Sequence, residues 1–351
     1  MKKERNINLD LTRSVATIGV ISVHFFLNTG FYQEIVVGRR MALMVSMRTL
    51  FMYCVPLFLL LTGFLMCNKK LEKNFYRGIL HTLEIYVIAS IMCMLYAMIR
   101  NKEAFSILQW IKNILDFSGA PYAWYIEMYV GLFLMIPFLN LLYHSIAERK
   151  NKLVFIFTLI FLVTLPSCIN IYGISILPDW WGGLWPLLYY FIGCYLREYL
   201  PRIKLKWCVF LLFCVWICNS AFCLLRSWNK TFEWGIYNDW SGFQNLIFSV
   251  LIFIVLQNLN LENIPFILKK IIRVISRLSL GIYLCSWIAD ECVYAYFNEV
   301  VNETAYKINF FPVVILAVFG IAITLSLLCE YSIKIIEMII NTTRRKKNMV
   351  I

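Results

Sequence analysis

Long apolar segments alternate with short polar connections along almost the whole chain. We find ten such segments, and each is about 18 residues or longer, which is enough for a helix to cross the hydrocarbon core of a bilayer. They cover approximately residues 13–30, 46–67, 79–99, 124–143, 153–170, 180–197, 207–225, 243–260, 274–296 and 310–333. The pattern predicts an all-α polytopic membrane protein with about ten transmembrane helices.

The connections leave no room for a separate hydrophilic domain. We therefore expect residues 1–340 to form one integral membrane domain, followed by a basic tail at residues 341–351. The N-terminal run is not followed by a small-residue cleavage site, so it is interpreted as the first membrane helix and not as a removable signal peptide.

Charge and composition agree with this interpretation. The chain is 61% hydrophobic and carries a net charge of +13. Most of its lysines and arginines fall in alternate connections, together with the two termini, as the positive-inside rule requires when both termini are cytoplasmic. The excess of positive charge is therefore a signal of topology, and we expect no nucleic-acid partner. The 12 cysteines lie in or beside apolar segments without a CxxC pair, so we expect no metal site.

The first apolar segment carries an unusual polar stripe. Asp10, Arg13, His24 and Asn28 share one helical face, and Arg13 and His24 lie roughly 16 Å apart along the axis. Ionisable groups inside a membrane are costly and usually pair or function. A structural interpretation stays open, in which His24 only bonds a neighbour and Arg13 is an interfacial anchor.

The other ionisable residues of the apolar segments form two layers by depth. The inner layer holds the residues Asp10, Arg13, Arg77, His81, Glu84 and Arg277, and the outer layer holds Arg48, Glu127, Asp290 and Glu291. Such layers suit a reaction across the membrane, with a phosphate-rich donor on inner arginines and a hydroxyl acceptor oriented by outer carboxylates. Arg48 and Glu127 could instead form a structural ion pair.

Several motifs resemble one family, the membrane acyltransferase family 3. The family opens with Leu-Asp-x-x-Arg and places a histidine eleven residues after the arginine, which here are Leu9, Asp10, Arg13 and His24. The segments VPLFLLLTGFLM (55–66), PYAWYIEMYVGLFLMIPFLN (121–140) and SLGIYL (279–284) are similar to its second helix, its tryptophan-containing fourth helix and a late motif.

The resemblance implies transfer of an acyl group, usually acetyl, from cytosolic acyl-CoA to a glycan hydroxyl at the surface of a bacterial plasma membrane. It makes Arg13 and His24 the catalytic pair. In two places the chain departs from the family: Cys285-Ser286 stand where a second histidine is common, and Thr62 replaces a serine. Some relatives carry an extracytoplasmic hydrolase-like domain that this sequence lacks, so we expect the protein to act alone or with a separate extracytoplasmic partner.

We expect His24 to act as general base or transient acyl carrier, and Arg13 and Arg77 to bind the acyl donor. Arg48, Glu127 and Asp290 are candidates for positioning the acceptor. Acetyl-CoA is expected as co-substrate, with no bound cofactor. Two other functions stay open: a transporter or flippase, because polar seams also line permeation paths, and a non-catalytic membrane sensor.

Overall fold

The computed structural model describes residues 6–102, 104–170 and 174–348. These residues form helices and no β-strands; two isolated bridges, Ile35 with Thr231 and Val36 with Trp228, join two connecting segments. The helices are α1 Ile7–Asn28, α2 Gly38–Phe51, α3 Cys54–Met66, α4 Lys73–Arg77, α5 Leu80–Asn101, α6 Ile107–Leu115, α7 Trp124–Ser145, α8 Arg149–Val163, α9 Pro166–Ile169, α10 Trp185–Tyr199, α11 Leu205–Ser227, α12 Phe243–Asn258, α13 Phe266–Val300, α14 Thr304–Lys307 and α15 Phe311–Asn348. Short 3₁₀ turns, Trp180–Leu184 and Ile308–Phe310, precede α10 and α15.

Within the described residues, seven stretches of helix are long and apolar enough to cross a membrane, which fits a multi-pass protein but does not confirm ten spans. The three predicted segments without such a helix are 153–170, 180–197 and 243–260. They form α8, α10 and α12, of 15, 15 and 16 residues. These helices are shorter than the ~20 residues that a span usually needs.

The orientation of the termini stays a prediction. The division into residues 1–340 and a tail at 341–351 also stays a prediction; in the structure, α15 continues through residue 340 to Asn348. The side chains of residues 341 and 343–348 and the whole of residues 349–351 lie outside the part of the chain that is described.

The second predicted segment is two helices. The backbone turns at Met52 and Tyr53, between the end of α2 and the start of α3. Pro56 lies in the first turn of α3, where a missing N–H costs no helical hydrogen bond. α3 forms one wall of the cavity described below.

Close packing fixes the position of α3. A Cβ atom on Gly63 would overlap the backbone carbonyl of Tyr190 in α10, and one on Gly193 would overlap that of Leu60 in α3. Each glycine thus makes room for the backbone of the facing helix, which is how small residues bring membrane helices together.

α1 and α13 form the centre of the bundle. Asn6 caps α1 by accepting a 2.9 Å hydrogen bond from the Asn8 backbone N–H, and the Asn8 side chain donates to the carbonyls of Leu256 and Leu259. α13 packs against α1, α5 and α15. The N-terminal end of α1 is therefore held against the end of α12.

α6 returns alongside α5 and leads into the candidate site. The Tyr86 hydroxyl of α5 donates a 2.8 Å hydrogen bond to the Ile114 carbonyl, and Asn113 contacts the Met94 sulfur. Ser106 and Gln109 form a capping box that begins this helix. The chain then turns and brings Tyr122 to α1 and α13 just before α7 starts.

Candidate active site

A hydrogen-bonded network joins the first two polar residues of the α1 stripe to α13. The Ser276 hydroxyl donates to Asp10 Oδ1 at 2.7 Å, and Arg13 Nη1 donates to the same hydroxyl at 3.1 Å. Ser14 adds a 3.0 Å bond to the Ile272 carbonyl. Asp10 is buried, so its carboxylate is desolvated. The Ser276 hydroxyl links this carboxylate to the Arg13 guanidinium and thereby fixes the direction of the Arg13 side chain.

Arg13 lines a cavity of about 220 Å³ between α1, α3, α5, α7 and α13. Most of its wall is apolar or aromatic, from residues such as Val20, Val55, Phe58, Leu61, Tyr125 and Tyr283. Among the described residues of this wall, Arg13 is the only one with a formal charge. An apolar slot with one fixed cation suits a ligand that joins an apolar chain to polar or anionic groups.

The third stripe residue, His24, belongs to a buried cluster at the other end of α1. His24 Nδ1 lies 3.3 Å from Asp290 Oδ2, and the two residues are 7% and 1% exposed. The contact is at ion-pair distance but lacks the alignment of a hydrogen bond. Asp290 is therefore placed to orient the imidazole.

Tyr122 completes the cluster. Its hydroxyl donates a 2.8 Å hydrogen bond to Asp290 Oδ2, and its ring centroid lies 4.0 Å from that of His24. Burial, and then the neighbouring Asp290 carboxylate, raise the pKa of Tyr122. The phenol thus keeps its proton and holds the carboxylate from one side.

The cavity and the His24 cluster adjoin each other. Val20, which lines the cavity, lies one turn before His24 on the same face of α1. Tyr283 also lines the cavity, and its hydroxyl donates to the backbone carbonyl of Tyr122. The cavity therefore extends along α1 from Arg13 toward the histidine, although His24 itself does not line it.

A second, larger cavity of about 1070 Å³ lies at the N-terminal end of α1. Its charged lining residues are Arg197, Glu198, Arg202, Glu262, Lys269 and Arg273. Arg273 lies one turn before Ser276 on α13, so this cavity begins next to the Arg13 network. The lining of this cavity has four basic side chains and two carboxylates, so its net positive charge suits an anionic ligand.

The other predicted site residues are not brought to His24. Arg77 is exposed at the end of α4 and lines neither of the two cavities. Glu127 is exposed in the first turn of α7. The ion pair between Glu127 and Arg48 that was considered from the sequence is not found among the ion pairs of the described residues. The donor and acceptor roles of these residues stay predictions.

Arg48 lies in a cluster of its own. It is fully buried, its Nε donates to the Tyr32 hydroxyl at 3.2 Å, and its Nη1 donates to the Asn238 carbonyl at 3.3 Å. The rings of Phe232 and Trp234 lie 4.8 Å from the guanidinium. These contacts attach the segment after α11 to α2 through cation–π and hydrogen-bond interactions.

Tyr122, Ser276 and Tyr283 are the site residues that sequence reasoning missed. Tyr122 and Tyr283 fall inside the motifs PYAWYI and SLGIYL, so the motifs marked the segments without showing which side chain matters. Aromatic residues are common in membrane helices, and no spacing within one helix reveals a contact between distant segments.

The helices and the site together define a multi-pass membrane protein with a buried histidine–carboxylate pair beside an apolar cavity. A family model described as an acyltransferase domain matches residues 6–331, nearly the whole chain. The protein belongs to this acyltransferase 3 family and is a membrane acyltransferase. No curated protein and no solved structure matches the chain.

Proposed function

We propose that the protein is an O-acyltransferase of a bacterial plasma membrane, with acetyl-CoA as the first donor to test. The acceptor is a hydroxyl of a cell-surface or wall polysaccharide, or of its lipid-linked precursor. The observation that carries the proposal is the buried cluster of His24, Asp290 and Tyr122 directly beside the Arg13 cavity.

His24 acts as the base in this proposal. When Asp290 holds the proton on Nδ1, Nε2 is the basic nitrogen of the ring. It takes the proton from the acceptor hydroxyl as that oxygen attacks the thioester carbonyl. The carbon–sulfur bond then breaks, and the imidazolium returns the proton to the leaving thiolate, so the products are an ester and coenzyme A thiol. The alternative is an acyl-enzyme, in which Nε2 carries the acyl group between two half-reactions.

The two cavities support a divided donor site. The basic cavity beside the start of α1 fits the nucleotide phosphates, and the apolar cavity fits the pantetheine arm, with Arg13 between them. Arg77 remains a further candidate for the donor on the same side of the bundle. This arrangement requires the N-terminal end of α1 to face the cytoplasm, as the distribution of positive charge predicts.

The acceptor approaches from the opposite side. Arg48 and Glu127 are candidates for contacts to more distant parts of the glycan, whereas Asp290 acts on His24. A separate extracytoplasmic partner that presents the acceptor remains part of this proposal.

Acetyl-CoA turnover by the purified protein in lipid nanodiscs tests the proposal. We expect slow thioester cleavage that His24→Ala and Arg13→Ala abolish. His81→Ala is the matched control, because His81 is an exposed histidine that pairs only with Glu84 on its own helix among the described ion pairs. Donor binding without turnover would instead favour the sensor, and neither binding nor cleavage would favour the transporter.

A further inference from the structure

A carboxylate on the wall of the larger, basic cavity is bound from outside that cavity. Glu198 of α10 is one of the lining residues, whereas none of the described lining residues comes from α7 or α8. Lys152 of α8 donates a 2.6 Å charge-assisted hydrogen bond from Nζ to Glu198 Oε2. The Lys152 side chain is only 7% exposed, and a buried charge is costly unless it is paired. The ion pair therefore attaches the Glu198 side chain to α8.

Two residues of α7 approach the same carboxylate. The Tyr143 hydroxyl donates to Glu198 Oε2 at 3.2 Å, and His144 Nδ1 lies 3.9 Å from Oε1. The other ring nitrogen of His144 donates a 2.8 Å hydrogen bond to the Cys67 carbonyl at the C-terminal end of α3, because a carbonyl only accepts. The centroid of the Tyr143 ring also lies 4.3 Å from Lys152 Nζ, a cation–π distance. Both oxygens of Glu198 thus face groups on α7 and α8.

This ion pair changes the charge that the cavity presents to a ligand. Four basic and two acidic side chains line the cavity, and Lys152 neutralises one of the two carboxylates from outside. The basic side chains then act against the charge of Glu262 alone. Charges interact more strongly at a protein wall than in bulk water, because the effective dielectric constant there is lower. One carboxylate more or less therefore changes the attraction of the cavity for a polyanion.

We propose that Lys152 is a positioning residue for the donor, because it holds the Glu198 carboxylate toward α8 and so keeps the cavity positive enough to bind a nucleotide. This inference rests on the proposed donor site and adds a residue that acts on the donor only through Glu198. Without Lys152, the carboxylate would carry an uncompensated charge on the cavity wall. It would then repel the phosphate groups and compete with them for the basic side chains.

Coenzyme A is the probe that tests this role, and its binding is measured by titration calorimetry on the whole chain in nanodiscs. We expect Lys152→Met to weaken coenzyme A binding about 10-fold, because Glu198 then faces the phosphates without its counter-charge. Lys150→Met is the matched control and should bind as wild type, since Lys150 is an exposed lysine of α8 that does not line the cavity.

A double variant separates the charge of the pair from its structural role. Lys152→Met combined with Glu198→Gln also lacks the ion pair, but it leaves no uncompensated carboxylate on the wall. We expect its affinity for coenzyme A to return to within about twofold of wild type, because the two residues act as one coupled pair. Thermal unfolding of each variant shows that the chain is folded.

Three results would decide against the role of Lys152. Equal binding by Lys152→Met and Lys150→Met would show that the lysine does not act on the cavity. A loss of binding that Glu198→Gln does not restore would make the pair purely structural, and the donor site would stand. A folded wild-type protein that binds no coenzyme A would remove the proposed donor itself, and the role of Lys152 with it.

Discussion

Tyr122 and Asp290 are joined by a 2.8 Å hydrogen bond across 168 positions of the chain. The same carboxylate oxygen lies 3.3 Å from His24 Nδ1. One oxygen therefore serves both the phenol and the imidazole, and the phenol limits the directions that the carboxylate can take. The orientation of the histidine depends on a residue in the short segment before α7.

Removing the Tyr122 hydroxyl should slow the reaction without weakening donor binding. A hydrogen bond to a charged group contributes about 1.5–3 kcal/mol, so Tyr122→Phe should lower kcat roughly 10- to 100-fold. The KM for acetyl-CoA should stay the same, because the Tyr122 carbonyl still holds Tyr283. Steady-state turnover beside Tyr331→Phe, an exposed tyrosine of α15, checks this. A kcat equal to that of the control would mean that the phenol does not orient the site.

Neutralising Asp290 should be more severe than neutralising its neighbour. Asp290→Asn keeps the shape but removes the charge that stabilises a protonated His24, and we expect kcat to fall about 100-fold or more. Glu291 is only partly buried and pairs with Arg100 at 3.1 Å. Glu291→Gln should therefore stay within about twofold of wild type. Equal effects of the two substitutions would contradict a specific role for Asp290.

The basic cavity should recognise only the nucleotide part of the donor. We expect Arg202→Gln and Arg273→Gln to raise the KM for acetyl-CoA about 10-fold each, because each change removes a charge-assisted contact to phosphate. The KM for acetyl-pantetheine, which lacks the nucleotide, should not change. Lys206→Gln is the control, since Lys206 is basic and exposed but does not line the cavity. A parallel rise for both donors would place the nucleotide elsewhere.

The contact between α3 and α10 should tolerate no added methyl group. Gly63→Ala forces the two backbones apart, and overpacking of this kind typically costs about 1–3 kcal/mol. We expect a lower apparent Tm in detergent together with a loss of activity, because α3 forms a wall of the donor cavity. Gly131→Ala is the control, as a Cβ atom there meets nothing within 4 Å. Similar Tm values for the two variants would show that the helices can adjust.

The sequence predicted the part of the site that lies within one helix. His24 lies eleven positions after Arg13, about three helical turns, so the two residues share a face of α1. The described contacts place that face against α13 at Ser276, Asp290 and Asn298. Local periodicity is enough for such a prediction, because a helix has a fixed geometry. The motifs also identified the family, and the match over residues 6–331 confirms it.

Contacts between segments that are distant in the sequence could not be predicted from the sequence alone. Tyr122 meets His24 only because α6 turns back along α5, and no pattern in residues 107–122 shows that return. The ten spans stay a prediction for a related reason. The apolar character of α8, α10 and α12 shows that they lie in an apolar environment, but not that each is long enough to cross the bilayer alone.

The link between Asp10 and Ser276 has a consequence for how the protein is made. The two residues are 266 positions apart, and His24 and Asp290, which also contact each other, are similarly far apart in the sequence. During synthesis, α1 enters the membrane with its polar stripe long before α13 has left the ribosome. Until then a carboxylate, a guanidinium and an imidazole must be shielded by water, by lipid headgroups or by the insertion machinery. The candidate site is therefore assembled late, when the chain is almost complete.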